Sequence, residues 1–137
     1  MFYKEDIVET EKETILRAYF QAWCQKDSSC LEDFFTIDVV YRECYGPEYH
    51  GIEQILQWFK DWNSKGTVQS WDIKRMIVSG DIVVVEWHFC YCYDGLADQF
   101  EGVTIAEFQG KKIKHLAEYS SSSQVVYPYD NHIVGSI

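Results

Sequence analysis

The stretch Val85 to Gly95, V-E-W-H-F-C-Y-C-Y-D-G, sets Glu86, His88, Cys90 and Cys92 at every second position. A carboxylate, an imidazole and two thiols in one row are donors suited to a metal site or a catalytic site. They are also what the outer side of a β-strand can carry. Alternation puts them on one face and Val83, Val85, Trp87, Phe89, Tyr91 and Tyr93 on the other. Same-face neighbours on a strand stand roughly 7 Å apart. Two thiolates sharing one zinc must come within about 4 Å. One strand cannot supply that, and the same spacing argues against a Cys90–Cys92 disulfide. Bulky rings suit a wall around a hollow, so the mixed row is expected on the outer face, as a dimer surface, with no metal.

The second group of interest is Glu43. Strand parity sets it on one face with Val39, Tyr41 and Tyr45. A carboxylate enclosed by aromatic rings without a cation has a raised pKa and becomes a better base for a proton beside a carbonyl. Tyr19 is the expected donor to a developing oxyanion, with Trp23 one helical turn away. The same parity gathers Phe100, Gly102, Thr104 and Ala106 on one later strand and Leu116, Glu118 and Ser120 on another. Trp58 and Trp62 would close the mouth. The expected site is thus Glu43 and Tyr19 as catalytic groups, lined by Trp23, Tyr41, Trp58, Trp62, Trp87, Phe89, Tyr91, Thr104, Glu118 and His50.

Each assignment has a plainer counterpart. Glu43 can pair with Arg42 or Arg75 at a rim, and Tyr19 and Trp23 can be core residues. His50, in Y-H-G, can cap or orient a helix or act as a pocket base. Cys44 alternates away from the pocket face, and Cys24 lies off the inward stripe. There is no G-x-S-x-G, no phosphate loop and no dinucleotide fingerprint, so no cofactor is expected.

The elements that must position these groups follow from periodicity. Asp6 to Lys26 reads as an amphipathic helix with Ile15, Leu16, Tyr19, Phe20 and Trp23 on one side. Ser29-Cys30-Leu31-Glu32 has the form of a capping box for a short helix. Val39 to Tyr45 reads as a strand broken by Gly46-Pro47. A third helix from Gly51 carries Ile52, Ile55, Leu56, Phe59 and Trp62 and ends by Gly66. Strands follow over Thr67 to Val78, Ile82 to Tyr93, Asp98 to Phe108 and Lys112 to about Val126. Helices first and long strands afterwards imply an α+β domain over residues 1–137, its helices covering one face of a curved antiparallel sheet.

Net charge is −10, from 22 acids against 12 bases. Such a surface is repelled by phosphate backbones and anionic lipid, so neither nucleic acid nor membrane is an expected partner. The charged, acidic start does not resemble a signal peptide. Five cysteines without a C-x-x-C fit a reducing compartment. A cytoplasmic setting is expected.

The element order, with A-Y-F-Q-A-W-C-Q-K-D (Ala18 to Asp27), D-V-V-Y-R-E-C-Y-G (Asp38 to Gly46), Y-H-G-I-E-Q-I-L-Q-W-F (Tyr49 to Phe59), V-E-W-H-F and F-E-G-V-T-I-A-E-F (Phe100 to Phe108), resembles the nuclear-transport-factor-2-like superfamily, in its SnoaL-like branch. The likeness covers nearly the whole chain. It implies a cone-shaped pocket between helices and sheet, and a homodimer packed through the sheet's outer face. This fold hosts isomerases, dehydratases, cyclases, epoxide hydrolases and non-enzymes. The steroid isomerases among them use a Tyr on the first helix, an Asp base at the end of the first strand and a protonated Asp on a later strand. The motifs put Tyr19 on that Tyr, Glu43 on the base and Thr104 at the second acid.

The expectation is therefore a protein that binds a small, largely apolar molecule and acts as a cofactor-independent isomerase, dehydratase or cyclase. A non-catalytic ligand-binding or protein-interaction module of the same fold is the alternative.

Overall fold

The computed structural model describes residues 3–122 and 124–130, with side chains from Glu11 onward. Met1, Phe2, Ser123 and residues 131–137 of the expected domain lie outside the described residues. The first helix, α1 (Tyr3–Gln25), buries Leu16, Tyr19, Phe20 and Trp23. It stops where Lys26 turns left-handed at φ 54°, with the Asp27 N–H reaching Ala22 O (2.9 Å) and the Lys26 N–H reaching Trp23 O (3.3 Å). This pair of bonds satisfies carbonyls that the helix end leaves open. Near its middle Lys12 is buried and donates to Gly80 O at 2.7 Å, fastening the helix to a sheet turn.

A one-turn helix, α2 (Leu31–Phe34), follows. The expected capping box is not formed. Cys30, not Ser29, is the N-cap, and the Ser29 N–H is taken by Asp27 Oδ1 at 3.0 Å. The chain then runs directly into β1 (Phe35–Arg42), which starts four residues earlier and ends three earlier than periodicity predicts. After a turn through Gly46 (φ 109°), β2 (Glu48–His50) pairs back on β1. It leads into α3 (Ile52–Lys65), whose inner face buries Ile55 and Phe59.

Four long strands complete the chain: β3 (Gly66–Ser79), β4 (Ile82–Tyr93), β5 (Leu96–Gln109) and β6 (Lys112–Ser121). Gly80 and Gly110, at φ 58° and 63°, make two of the hairpin turns, and Asp94-Gly95, both left-handed, makes the third. The last strand ends at Ser121 rather than near Val126. Strand order is β2-β1-β6-β5-β4-β3. All neighbours are antiparallel except β1 and β6, which are parallel. The result is an α+β domain of three helices on a curved, unclosed six-stranded sheet.

Strand β4 answers the question of its alternating row. Val83, Val85 and Trp87 are buried, whereas Glu86 is half exposed and pairs with Arg75 at 3.4 Å. Cys90 Sγ stands 3.6 Å from His88 Nδ1 on the same outer face. Among the described residues no group of three or more His, Cys, Asp and Glu side chains is placed to hold a metal ion.

Candidate functional site

The hollow between the helices and the inner sheet face is a cavity of about 40 Å³, space for a few heavy atoms. Its wall is built from rings of five elements. Trp23 comes from α1, Trp58 and Trp62 from α3, Trp71 from β3, Trp87 and Phe89 from β4 and Phe100 from β5. Two carboxyls enter it, Glu43 from the turn that follows β1 and Glu118 from β6. Two wider grooves, about 480 and 520 Å³, adjoin its mouth, and Trp62 lines all three spaces.

Glu118 is the cavity-facing end of a polar chain. Tyr19 donates its hydroxyl proton to the Tyr41 oxygen at 2.6 Å, and Tyr41 donates to Glu118 Oε2 at 2.5 Å. All three side chains are buried. Burial pushes the Glu118 carboxyl up to about 7, with the nearby Glu43 charge adding to the rise. Hydrogen bonds from Tyr41 and the Cys44 backbone hold the rise back. Burial, followed by the Glu118 charge, holds both tyrosines well above their usual value, so they stay protonated donors.

Glu43 lies where the cavity meets one groove and accepts a hydrogen bond from Tyr49 at 2.6 Å. Burial raises its pKa too, against the lowering effect of Tyr49. The alternative pairing with Arg42 or Arg75 is absent among the described contacts, and Arg75 engages Glu86 instead.

Several expected residues fall elsewhere. Tyr19 stands behind the wall, its proton committed to Tyr41, so it touches the cavity only through that relay. Tyr41 is likewise a partner of Glu118 rather than a wall residue. Tyr91 lines an outer groove. His50 turns away, mostly exposed, with Nε2 2.8 Å from Glu48 Oε2. The helix it was expected to cap or orient has Gly51 as its N-cap instead. Thr104 is fully buried and accepts the Trp87 indole N–H at 2.8 Å, so its oxygen fixes a ring. Gly102 makes room for that ring, because a Cβ there would lie 2.4 Å from Trp87 Cη2.

Cys44 corrects the parity argument. It lines the cavity beside Glu43, because β1 ends at Arg42 and alternation ceases in the turn that follows. Burial pushes its thiol up to about 11, the neighbouring Glu118 charge contributing. Trp71 was missed for the opposite reason. A register shift between Val68 and Ser70 inserts one residue and moves the inward face from even to odd positions. Trp71 then stacks on Phe20 at 3.9 Å and meets Trp87 edge-on at 5.6 Å. Tyr45, set by parity on the face of Glu43, lines the cavity, and Tyr49 was missed as a neighbour of that carboxyl.

This arrangement of helices and sheet has counterparts in known proteins. The profile of the SnoaL-like domain matches residues 16–116. The chain belongs to the SnoaL-like family.

A search of the curated proteins finds no match. Among solved structures, the SnoaL-like chain is similar to a hypothetical protein of ketosteroid isomerase-like fold from Catenulispora acidiphila, in complex with trimethylamine. That likeness has 23% identity and TM-score 0.71 and covers 78% of this chain and 85% of the other. An epoxide hydrolase of LEH-like type from M. tuberculosis aligns with 18% identity and TM-score 0.74, over 82% and 79% of the two chains. A candidate polyketide cyclase from Xanthomonas campestris aligns with 17% identity and TM-score 0.69, over 82% and 91%. At these identities the SnoaL-like chain shares a fold with each. No helix among the described residues is long and apolar enough to cross a membrane.

Proposed function

We propose that this SnoaL-like domain binds a small, largely apolar molecule and moves a proton on it without a cofactor, as an isomerase, lyase or cyclase does. The observation that carries the reading is Glu118, a buried carboxyl lining an aromatic cavity, where burial pushes its pKa up to about 7. A base is most effective when its pKa lies near the working pH, because both forms are then populated. Glu118 takes the proton. Glu43, expected from strand parity as the base, is the second carboxylate, and its charge adds to the rise that burial causes in the Glu118 pKa. Tyr41 and, through it, Tyr19 are positioning residues that orient Glu118. The trimethylamine complex of the Catenulispora acidiphila protein supports a ligand of small size for this fold.

The same reading makes the protein a cytoplasmic homodimer. Ile77, Ile105 and Tyr119 are exposed on β3, β5 and β6, and a second copy would cover them.

The test follows exchange of carbon-bound protons of small carbonyl compounds in deuterated buffer. Wild type exchanges them, Glu118→Gln does not, and Glu43→Gln retains part of the rate. Equal rates in wild type and Glu118→Gln would remove acid–base catalysis. The alternative is a binding module without chemistry, favoured by Thr104, which anchors Trp87 and offers no second acid. That outcome would leave ligand binding intact with no exchange in any variant.

A further inference from the structure

Every charged residue lining the cavity and its two grooves is acidic: Glu43 and Glu118 inside, Asp61 and Asp98 outside. The remaining wall is mostly aromatic, with the five indoles of Trp23, Trp58, Trp62, Trp71 and Trp87 around the two inner carboxyls. A neutral apolar ligand would gain from the rings but would leave the carboxyls without a counter-charge. An anionic ligand would be repelled by them. Aromatic rings attract a cation through their quadrupole, and alkyl groups on that cation replace its hydration shell with ring contacts. The chain's net charge of −10 adds a long-range pull on cations.

We infer that the cavity takes the alkylated ammonium group of a small organic cation, held among the indoles against Glu43 and Glu118, with the rest of the ligand lying in the adjoining groove. Glu43 is suited to the counter-ion role because it lines both the cavity and that groove. Trp58 and Trp62, which also line both, stand where the ligand would pass. The inference rests on the proposed binding site and adds the class of molecule.

Binding has a pH signature. The groups around Glu118 are Tyr41 and Glu43 from β1 and its end, Cys44 beside them, Tyr19 from α1 and Tyr49 from β2. The tyrosines and the thiol are uncharged at neutral pH, leaving two carboxyls to answer a cation. The ionised form of Glu118 attracts it, so binding displaces a proton and tightens as pH rises through about 7.

Choline is the probe, titrated by tryptophan fluorescence against sodium chloride at equal ionic strength. Its control is the uncharged isostere in which a tert-butyl group replaces trimethylammonium. Choline is expected to bind about tenfold more tightly than the isostere. Its affinity is expected to rise between about pH 6 and about pH 8. Glu118→Gln should flatten that rise, and Glu43→Gln should weaken choline while leaving the isostere unchanged. Equal or tighter binding of the isostere, or no saturable choline binding by folded protein, overturns the inference. Preference for the isostere with proton exchange still dependent on Glu118 sinks the cation alone. Preference for choline with exchange unaffected in Glu118→Gln sinks the acid–base reading alone.

Discussion

Tyr41 donates its hydroxyl proton to Glu118 Oε2 across 2.5 Å, joining the one parallel strand pair of the sheet at its buried face. The bond runs between neighbouring strands because register sets Tyr41 beside Leu116 and Arg42 beside Ala117, which brings residue 118 to the end of β1. Tyr19 extends it by one step into α1. A carboxyl so placed has its geometry fixed before any ligand arrives.

Tyr41→Phe removes a bond that favours the ionised carboxylate. The Glu118 pKa is expected to rise further, moving the pH midpoint of proton exchange upward. Tyr19→Phe leaves the direct bond in place and should shift it less. Midpoints from exchange-rate profiles of the three proteins check this, and an unshifted Tyr41→Phe profile would separate the relay from the chemistry.

Stability should depend on pH through the same residue. The folded Glu118 holds a proton that the unfolded chain releases between 4.5 and about 7, so stability falls as pH rises across that window. Below it both states are protonated and no penalty applies. The interval corresponds to roughly 3 kcal/mol. The unfolding free energy of wild type from urea denaturation should fall by this amount between the two ends of the window, relative to Glu118→Gln measured alongside.

Trp87 is held from two sides, which separates structural from chemical roles. Thr104→Val leaves the buried indole N–H without an acceptor, at a cost of about 1–3 kcal/mol. Gly102→Ala presses a methyl group against Trp87 and the Tyr119 carbonyl, 2.4 and 2.5 Å away, and should cost a similar amount, about 1–3 kcal/mol. Denaturation measures both. Thr104 faces Glu118 across β5 and β6 but takes no part in its hydrogen-bond chain, so the pH midpoint of exchange in Thr104→Val should stay at the wild-type value.

The outer face gives a prediction of its own. Sedimentation should find a dimer, and Ile105→Lys, at an exposed position in the middle of that face, should give a folded monomer. A wild-type monomer would contradict the homodimer.

Much of this was legible in the residues. The period of α1, the alternation of β4 and the turn glycines 80 and 110 each fix a local geometry by themselves, and the structure follows them. Parity along β6 also put Glu118 inward. What parity cannot carry is an interruption: the strand end at Arg42 brought Cys44 inward, and the register shift before Ser70 brought Trp71 inward. Which of two inward carboxyls is the more enclosed depends on neighbours far along the chain. Tyr41 and Glu118 are 77 positions apart, and no local pattern connects them. Nor could the sequence say that the Tyr19 hydroxyl would meet another tyrosine before it met a ligand.

The most direct measurement is the titration of the Glu118 carboxyl itself, read as the protonated-carboxyl infrared band of wild type minus that of Glu118→Gln. The account predicts a band that disappears with a midpoint at about 7. A midpoint at the ordinary carboxyl value of 4.5 would mean that Glu118 is a charged, solvated group at neutral pH, and the proton-transfer site would be lost with it.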